Sequence, residues 1–257
     1  MELAPGAAAA GVRLIACETV GSTNAEALAR AHAGESGPLW VTARTQTAGH
    51  GRRGRTWVSE AGNLYATLLL TDPSPPQRAA QLSFVAALAT HDAIAACAPA
   101  LAPRLAFKWP NDVLLDGAKV AGILIEAEGT LPLMVAVGVG VNCGQHPQAT
   151  EFPATDLAAA GAEVAVEPLF AGLSLAMVER LRQWEEGFAG IRAAWLAHAG
   201  GLGGELTARL GARELTGRFE ALDEAGRLLL RLPGGSLETI AAGEVFPVAP
   251  AATAVGP

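Results

Sequence analysis

Hydrophobic positions along the chain change their period several times, and each change marks an element. Val12–Ala16 is a short apolar run that predicts a first strand. Thr23–Arg30 follows at helical period, and Thr23 with Glu26 three positions on has the spacing of a capping box. Leu39–Ala43 predicts a second strand, and residues 44–56 a polar loop. Asn63–Leu70 predicts a third strand, stopped by Asp72 and the prolines from Pro73 to Pro76. Gln77–Cys97 is apolar throughout and long enough for a buried helix ending before Pro99.

A meander comes next. Leu105–Trp109 ends at Pro110, and Val113–Leu115 runs into Asp116-Gly117, a tight-turn pair. Lys119–Glu126 turns at Glu128-Gly129, and Leu133–Val141 alternates β-branched with small residues. Turns this short imply antiparallel pairing, because parallel strands need long crossovers. Residues 168–199 return to helical spacing through Leu173, Met177, Leu181 and Trp184. After the glycines at 200, 201, 203 and 204, four short strands are expected: Leu206–Leu210, Glu214–Leu222, Arg227–Leu232 and Leu237–Ala241. They suggest a small β-barrel. The class is therefore α+β: a mixed, largely antiparallel central sheet with helices over residues 1–203, and a small barrel over 204–257. The tail Ala249–Pro257 is expected to be disordered.

At 257 residues, half of them hydrophobic, the chain can bury a substantial core. Its formal charge is −7, from 18 basic and 25 acidic residues, so anion binding must come from a local cluster. Cys17, Cys97 and Cys143 are widely spaced and odd in number, which argues against a disulfide framework and fits a reducing, cytoplasmic setting. No signal peptide and no membrane span are read.

One segment stands out against that acidic background. Arg44-Thr45-Gln46-Thr47-Ala48-Gly49-His50-Gly51-Arg52-Arg53-Gly54-Arg55-Thr56-Trp57 holds four arginines, three glycines and no acid. Guanidinium forks suit carboxylate and phosphate, and glycine lets the backbone approach a ligand. Such a loop binds a phosphorylated ligand, or is a solvated basic loop or an RNA-contacting arm. Its like charges and its glycines predict mobility until an anion arrives. In Phe107-Lys108-Trp109-Pro110-Asn111-Asp112, Lys108 ends a strand with its stem packed and its ammonium aimed. It either bridges reacting anions or is an ordinary edge lysine. Asn111 and Asp112 either bind Mg²⁺ or make the turn. In Val137-Gly138-Val139-Gly140-Val141-Asn142, Gly138 and Gly140 share one face and leave a trough for a flat ligand, or mark tight packing. Neither a dinucleotide fingerprint nor a Walker loop is present. In Gly21-Ser22-Thr23-Asn24, the hydroxyls cap the helix or hold a polar ligand head.

Together these segments, with Lys119-Val120-Ala121-Gly122-Ile123-Leu124-Ile125-Glu126, resemble the biotin–protein ligase family over residues 12–145. Glu214–Val245 looks like that family's SH3-like barrel. The resemblance implies a class II synthetase-like fold. It also implies an ATP-dependent ligase that makes biotinyl-5′-adenylate from biotin and Mg·ATP. Biotin then passes to a lysine of a biotin carboxyl carrier protein, as in acetyl-CoA carboxylase. It places Ser22, Thr23 and Gln46 at the ureido end of biotin, with Asn24 also in the biotin site. Gly49, His50, Gly51, Arg52 and Lys108 fall at its carboxylate, and Trp57, Gly138 and Gly140 along the pocket. Arg52, Arg53, Arg55, Trp57, Lys108 and Asn142 fall on the adenylate, with Lys108 and Arg52 as the catalytic pair. His50 stands where the family often carries arginine. About twenty residues precede Ser22, too few for the helix-turn-helix domain of some relatives, so no specific DNA binding is expected. A homodimer through a sheet edge stays open, as do a lipoate–protein ligase and a nucleic-acid-binding module.

Overall fold

The computed structural model describes residues 1–73, 76–148 and 150–247, so the expectation for the tail beyond 248 falls outside the described residues. A short helix α1 (Pro5–Ala9) leads into β1 (Arg13–Val20), α2 (Thr23–His32) and β2 (Leu39–Gln46). Then come β3 (Leu64–Thr71), α3 (Leu82–Cys97), β4 (Leu105–Lys108), β5 (Asp112–Leu115), β6 (Ala118–Glu128) and β7 (Met134–Val141). The seven strands form one sheet in the order β1-β2-β3-β7-β6-β5-β4. Only β1 and β2 are parallel, with α2 as the crossover between them; every other neighbour pairs antiparallel. The turn at Asp116-Gly117 has positive φ at both residues (50° and 80°), the geometry that matches strand twist.

Helices cover both faces. The face under α2 packs Ala27 and Leu28 against Leu39, Val41, Leu69, Met134 and Ala136. On the other face lie α3, α4 (Val166–Glu186) and α5 (Phe188–Ala197). α3 is buried on almost every side, which explains why Gln77–Cys97 is apolar and long enough to cross a membrane yet sits in a core. Its first turn, Pro76–Gln81, is 3-10 rather than α. The helical stretch expected over 168–199 is two helices, broken at Gly187, whose φ of 145° no L-residue adopts comfortably.

β7 serves both faces by strict alternation. Val135, Val137, Val139 and Val141 enter the core beneath α3, while Ala136, Gly138 and Gly140 face the α2 side. Small residues on that side leave depth between the end of α2 and the strands.

A second sheet holds β8 (Glu205–Leu210), β9 (Arg213–Leu222), β10 (Leu228–Arg231), β11 (Leu237–Ile240) and β12 (Glu244–Pro247). All its pairs are antiparallel, in the order β11-β10-β9-β8-β12. The fifth strand, β12, adds to the four expected from sequence. Leu206, Phe219, Leu228 and Val245 join the same apolar cluster as the α3 face. The Trp109 indole Nε1 donates to the Gly226 carbonyl at 3.0 Å, tying the β4–β5 corner to the small sheet.

Candidate active site

A cavity of about 410 Å³ opens where α2, the glycine–arginine loop, the β4–β5 corner, β6, β7 and β12 meet. Its wall includes Ser22, Thr23, Asn24, Gln46, His50, Gly51, Arg52, Arg55, Trp57, Lys108, Gly138, Gly140 and Asn142. Of the residues singled out from sequence, Gly49 and Arg53 lie off this wall. Gly49 has a packing role: a Cβ there would come within 2.5 Å of the Ser59 hydroxyl and 2.7 Å of the Trp57 carbonyl.

One end of the cavity is neutral and hydrogen-bonded. Thr23 N–H donates to Gln46 Oε1 at 2.8 Å, and the Thr23 hydroxyl reaches the same oxygen at 3.1 Å. Gln46 Nε2 donates to Ser59 Oγ at 2.9 Å, which donates to the Trp57 carbonyl. The Thr67 hydroxyl, with one proton to share, lies 2.8 Å from Thr23 Oγ1 and 2.6 Å from Asn24 Oδ1. Asn24 Nδ2 donates to Glu126 Oε2 at 2.8 Å. The capping-box expectation is corrected here. Ser22 is the N-cap and makes no side-chain cap, Thr23 turns to Gln46, and Glu26 pairs with Arg30 at 2.8 Å. The Thr23 hydroxyl joins the network behind the cavity wall instead of the helix end, and Ser22 lines the cavity.

Glu126 also meets His50. His50 Nε2 lies 3.3 Å from Glu126 Oε1, and Nδ1 lies 3.2 Å from the Ala48 carbonyl. Both ring nitrogens face acceptors, so both are donors only in the imidazolium. The Ala48 carbonyl, reinforced by Glu126, raises the His50 pKa against the opposing effect of burial. The imidazolium is thus more favoured here than in a free histidine.

Trp57 and Asn24 sit directly on the strand glycines. A Cβ on Gly140 would lie 2.7 Å from the indole, one on Gly122 3.1 Å from it, and one on Gly138 2.3 Å from Asn24 Oδ1. Gly122 and Gly140 are cross-strand partners, so two strands give up side chains at one spot for one ring. The trough expected there is filled by the protein's own Trp57 and Asn24, and the space for a ligand lies beside them.

The other end is cationic. Gly51 N–H donates to Arg55 O at 2.7 Å and Trp57 N–H to Gly49 O at 2.9 Å, folding the glycine–arginine loop on itself with Arg53 in the left-handed region (φ 59°). Arg52 Nη1 donates to Asn111 Oδ1 at 3.2 Å and to the Gly243 carbonyl at 3.3 Å. Burial lowers its pKa, aided by the neighbouring Arg53, but leaves a guanidinium charged. Arg55 pairs with Glu244 at 2.5 Å, and Arg53 stands 3.9 Å from the same carboxylate. The loop's missing acid is therefore supplied by β12. Asp112 pairs with Lys119 at 2.5 Å, and Asn111 Nδ2 donates to the Ile123 carbonyl at 2.6 Å, so both also build the corner. Burial pushes the Lys108 ammonium down to about 8. Asn142 donates from Nδ2 to the Thr155 carbonyl at 2.9 Å, which fixes its amide at the cavity wall.

Sequence reasoning missed Thr67, Glu126, Phe152 and Glu244. Glu126 ended a quoted motif. The others lie far in sequence from their partners, and no local pattern marks them.

Residues 18–142 match the biotin/lipoate A/B protein ligase family, and residues 201–246 match the biotin protein ligase C terminal domain. A biotin--[acetyl-CoA-carboxylase] ligase of Paracoccus denitrificans is 50% identical over 238 residues, covering 88% of this chain and 96% of that protein. The chain belongs to the biotin/lipoate A/B protein ligase family. Other members of the ligase family stand close. The bifunctional ligase/repressor BirA of Bacillus subtilis is 33% identical, over 88% of this chain and 71% of that protein. The structure of the biotin protein ligase from Aquifex aeolicus in complex with biotin and ATP superposes with a TM-score of 0.76 at 28% identity. That match covers 91% of this chain and 97% of that one.

Proposed function

We propose that this ligase-family chain is a biotin–protein ligase that activates biotin with ATP and transfers it to a carrier lysine. The observation that carries the reading is the polarity of one cavity. Its neutral end, built on Gln46, Thr23 and Asn24, suits an uncharged polar head, and its cationic end, built on Arg52, Arg55 and Lys108, suits a carboxylate beside a phosphate. The 50% identity to a biotin--[acetyl-CoA-carboxylase] ligase supports the same substrates and a carboxylase carrier domain as partner.

In the first step a biotin carboxylate oxygen bonds to the α-phosphorus as the bond to the β-phosphate oxygen breaks, and pyrophosphate leaves. Carboxylate and triphosphate repel, so cations must hold them in contact, which is the role given to Lys108 and Arg52. In the second step the carrier ε-amine attacks the acyl carbon, loses a proton, and AMP leaves. Mg²⁺ entering with ATP would shield triphosphate charge. Asp112 and Asn111 are the wall residues that would face it once released from Lys119 and Arg52, and a metal held mainly by phosphate and water would fit a wall whose carboxylates are already paired. All three cysteines are free, which supports a cytoplasmic setting. The reading also holds that the chain acts without sequence-specific DNA or membrane binding.

The test is pyrophosphate release by the purified protein with Mg·ATP and either biotin or lipoate, followed by mass spectrometry of a carrier domain. Biotin-dependent release and a biotinyl adduct on one carrier lysine are expected. Release with lipoate alone moves the assignment to the lipoate branch, and release with neither overturns it.

A further inference from the structure

Lys108 lies at the end of β4, and its Nζ is 3.0 Å from the centroid of the Phe152 ring and 5.5 Å from that of Phe246. The two rings stack at 4.6 Å and 29°. Phe152 belongs to the segment between β7 and α4, and Phe246 to β12. On β8, Arg209 lies 4.3 Å from the Phe246 ring and pairs with Glu151 at 2.8 Å. Three stretches of chain distant in sequence thus converge on one ammonium.

The carboxylates around Lys108 are already engaged. Asp112, its cross-strand partner on β5, is 2.5 Å from Lys119 of β6; Glu244 on β12 holds Arg55; Glu151 holds Arg209. Lys119 and Arg55 add like charge nearby, and burial removes water. What remains to face the ammonium is the electron-rich surface of the rings. A carboxylate partner would bind it more strongly and compete with an anionic substrate. Rings do neither.

We propose that Phe152 and Phe246 are positioning residues that keep the Lys108 ammonium charged, dry and without a carboxylate partner, so that its first anion is the substrate. Phe152 supplies the face, and Phe246 holds Phe152 in place from the small sheet. The idea rests on the ligase reading only for what that substrate is.

The experiment compares the full-length protein with Phe152→Leu, Phe246→Leu, Phe152→Tyr and Phe246→Tyr. First, the pKa of Lys108 is measured in the ligand-free proteins by pH-dependent acetylation and peptide mass spectrometry. Leucine keeps the site apolar but removes the π face. Phe152→Leu should lower the Lys108 pKa by about half a unit to one unit, and Phe152→Tyr should restore it. Phe246→Leu should give a smaller fall, restored by tyrosine. Second, kcat and KM for ATP are followed against pH by pyrophosphate release. The alkaline limb of kcat/KM should move down with the Lys108 pKa in the Leu variants. An unchanged or raised Lys108 pKa in Phe152→Leu, with the protein folded, overturns the proposal. A wild-type protein that releases no pyrophosphate overturns the ligase reading, while the ligand-free titration still decides the role of the rings.

Discussion

Arg55 of the glycine–arginine loop and Glu244 of β12 form a 2.5 Å ion pair, with Arg53 3.9 Å from the same carboxylate. The Glu244 side chain is only 11% exposed, so it is an internal counter-charge rather than a surface decoration. A phosphate entering the cavity competes with Glu244 for the same guanidinium. Glu244→Gln should therefore loosen the empty loop. Limited trypsin digestion should cut between Arg44 and Arg55 several-fold faster than in the wild type, and the adenylate should restore protection. Equal cleavage of the two proteins without ligand would show that the pair does not hold the loop.

Lys108→Gln removes the charge assigned to the reacting carboxylate and phosphate. A loss of about 10²–10³ in adenylation rate is the usual scale for one electrostatic stabiliser. The melting temperature should change little, because losing the contact with the Phe152 ring is offset by no longer burying a charge. Pyrophosphate release near the wild-type rate would refute the role.

His50 carries the pH prediction. Its folded pKa is raised above 6.5 by the Ala48 carbonyl and Glu126. The stabilisation it contributes is therefore complete below pH 6.5 and lost as pH rises through the folded pKa. In urea unfolding from pH 5 to 9, the stability difference between wild type and His50→Asn should be largest at acid pH and fade toward alkaline pH. A difference independent of pH would mean that the imidazolium is not the species held.

Gly140→Ala should act on the site and spare the fold. Its Cβ would lie 2.7 Å from the Trp57 indole, which must move, whereas β7 tolerates alanine as strand. Biotin affinity should fall at least tenfold in equilibrium dialysis, with thermal stability within a few degrees of wild type. Unchanged affinity would mean that the ring's position is immaterial to binding.

The strands of the main sheet were legible because their alternation and turn pairs are local, as at Asp116-Gly117. Some strand ends moved: β1 and β2 ran further than expected, while β4 stopped one residue short at Lys108. β2 continues to Gln46 because Thr45 and Gln46 find partners in Thr19 and Val20 of β1, a pairing that composition does not announce. Thr23 shows the opposite failure. Its spacing to Glu26 fits a cap, but Gln46, 23 residues away, offers its Oε1. The glycine–arginine loop and Lys108 stood out by local composition. Glu244, Phe152 and Phe246 did not, because each acquires its role only when the small sheet packs against the site.

β7 has one further consequence, for how substitutions will be tolerated. Its odd positions, from Val135 to Val141, fill the core beneath α3, and its even positions, from Ala136 to Gly140, face the α2 side and the cavity. Folding and chemistry are thus written on the same eight residues in alternating letters. A saturation scan of the strand should separate into two interleaved phenotypes. Polar changes at odd positions should remove soluble protein, and enlargements at Gly138 and Gly140 should leave soluble protein that no longer holds its ligand. Damage at Gly138 or Gly140 falls on binding, whereas damage at the odd positions, or at Met134 and Ala136 in the smaller core under α2, falls on stability.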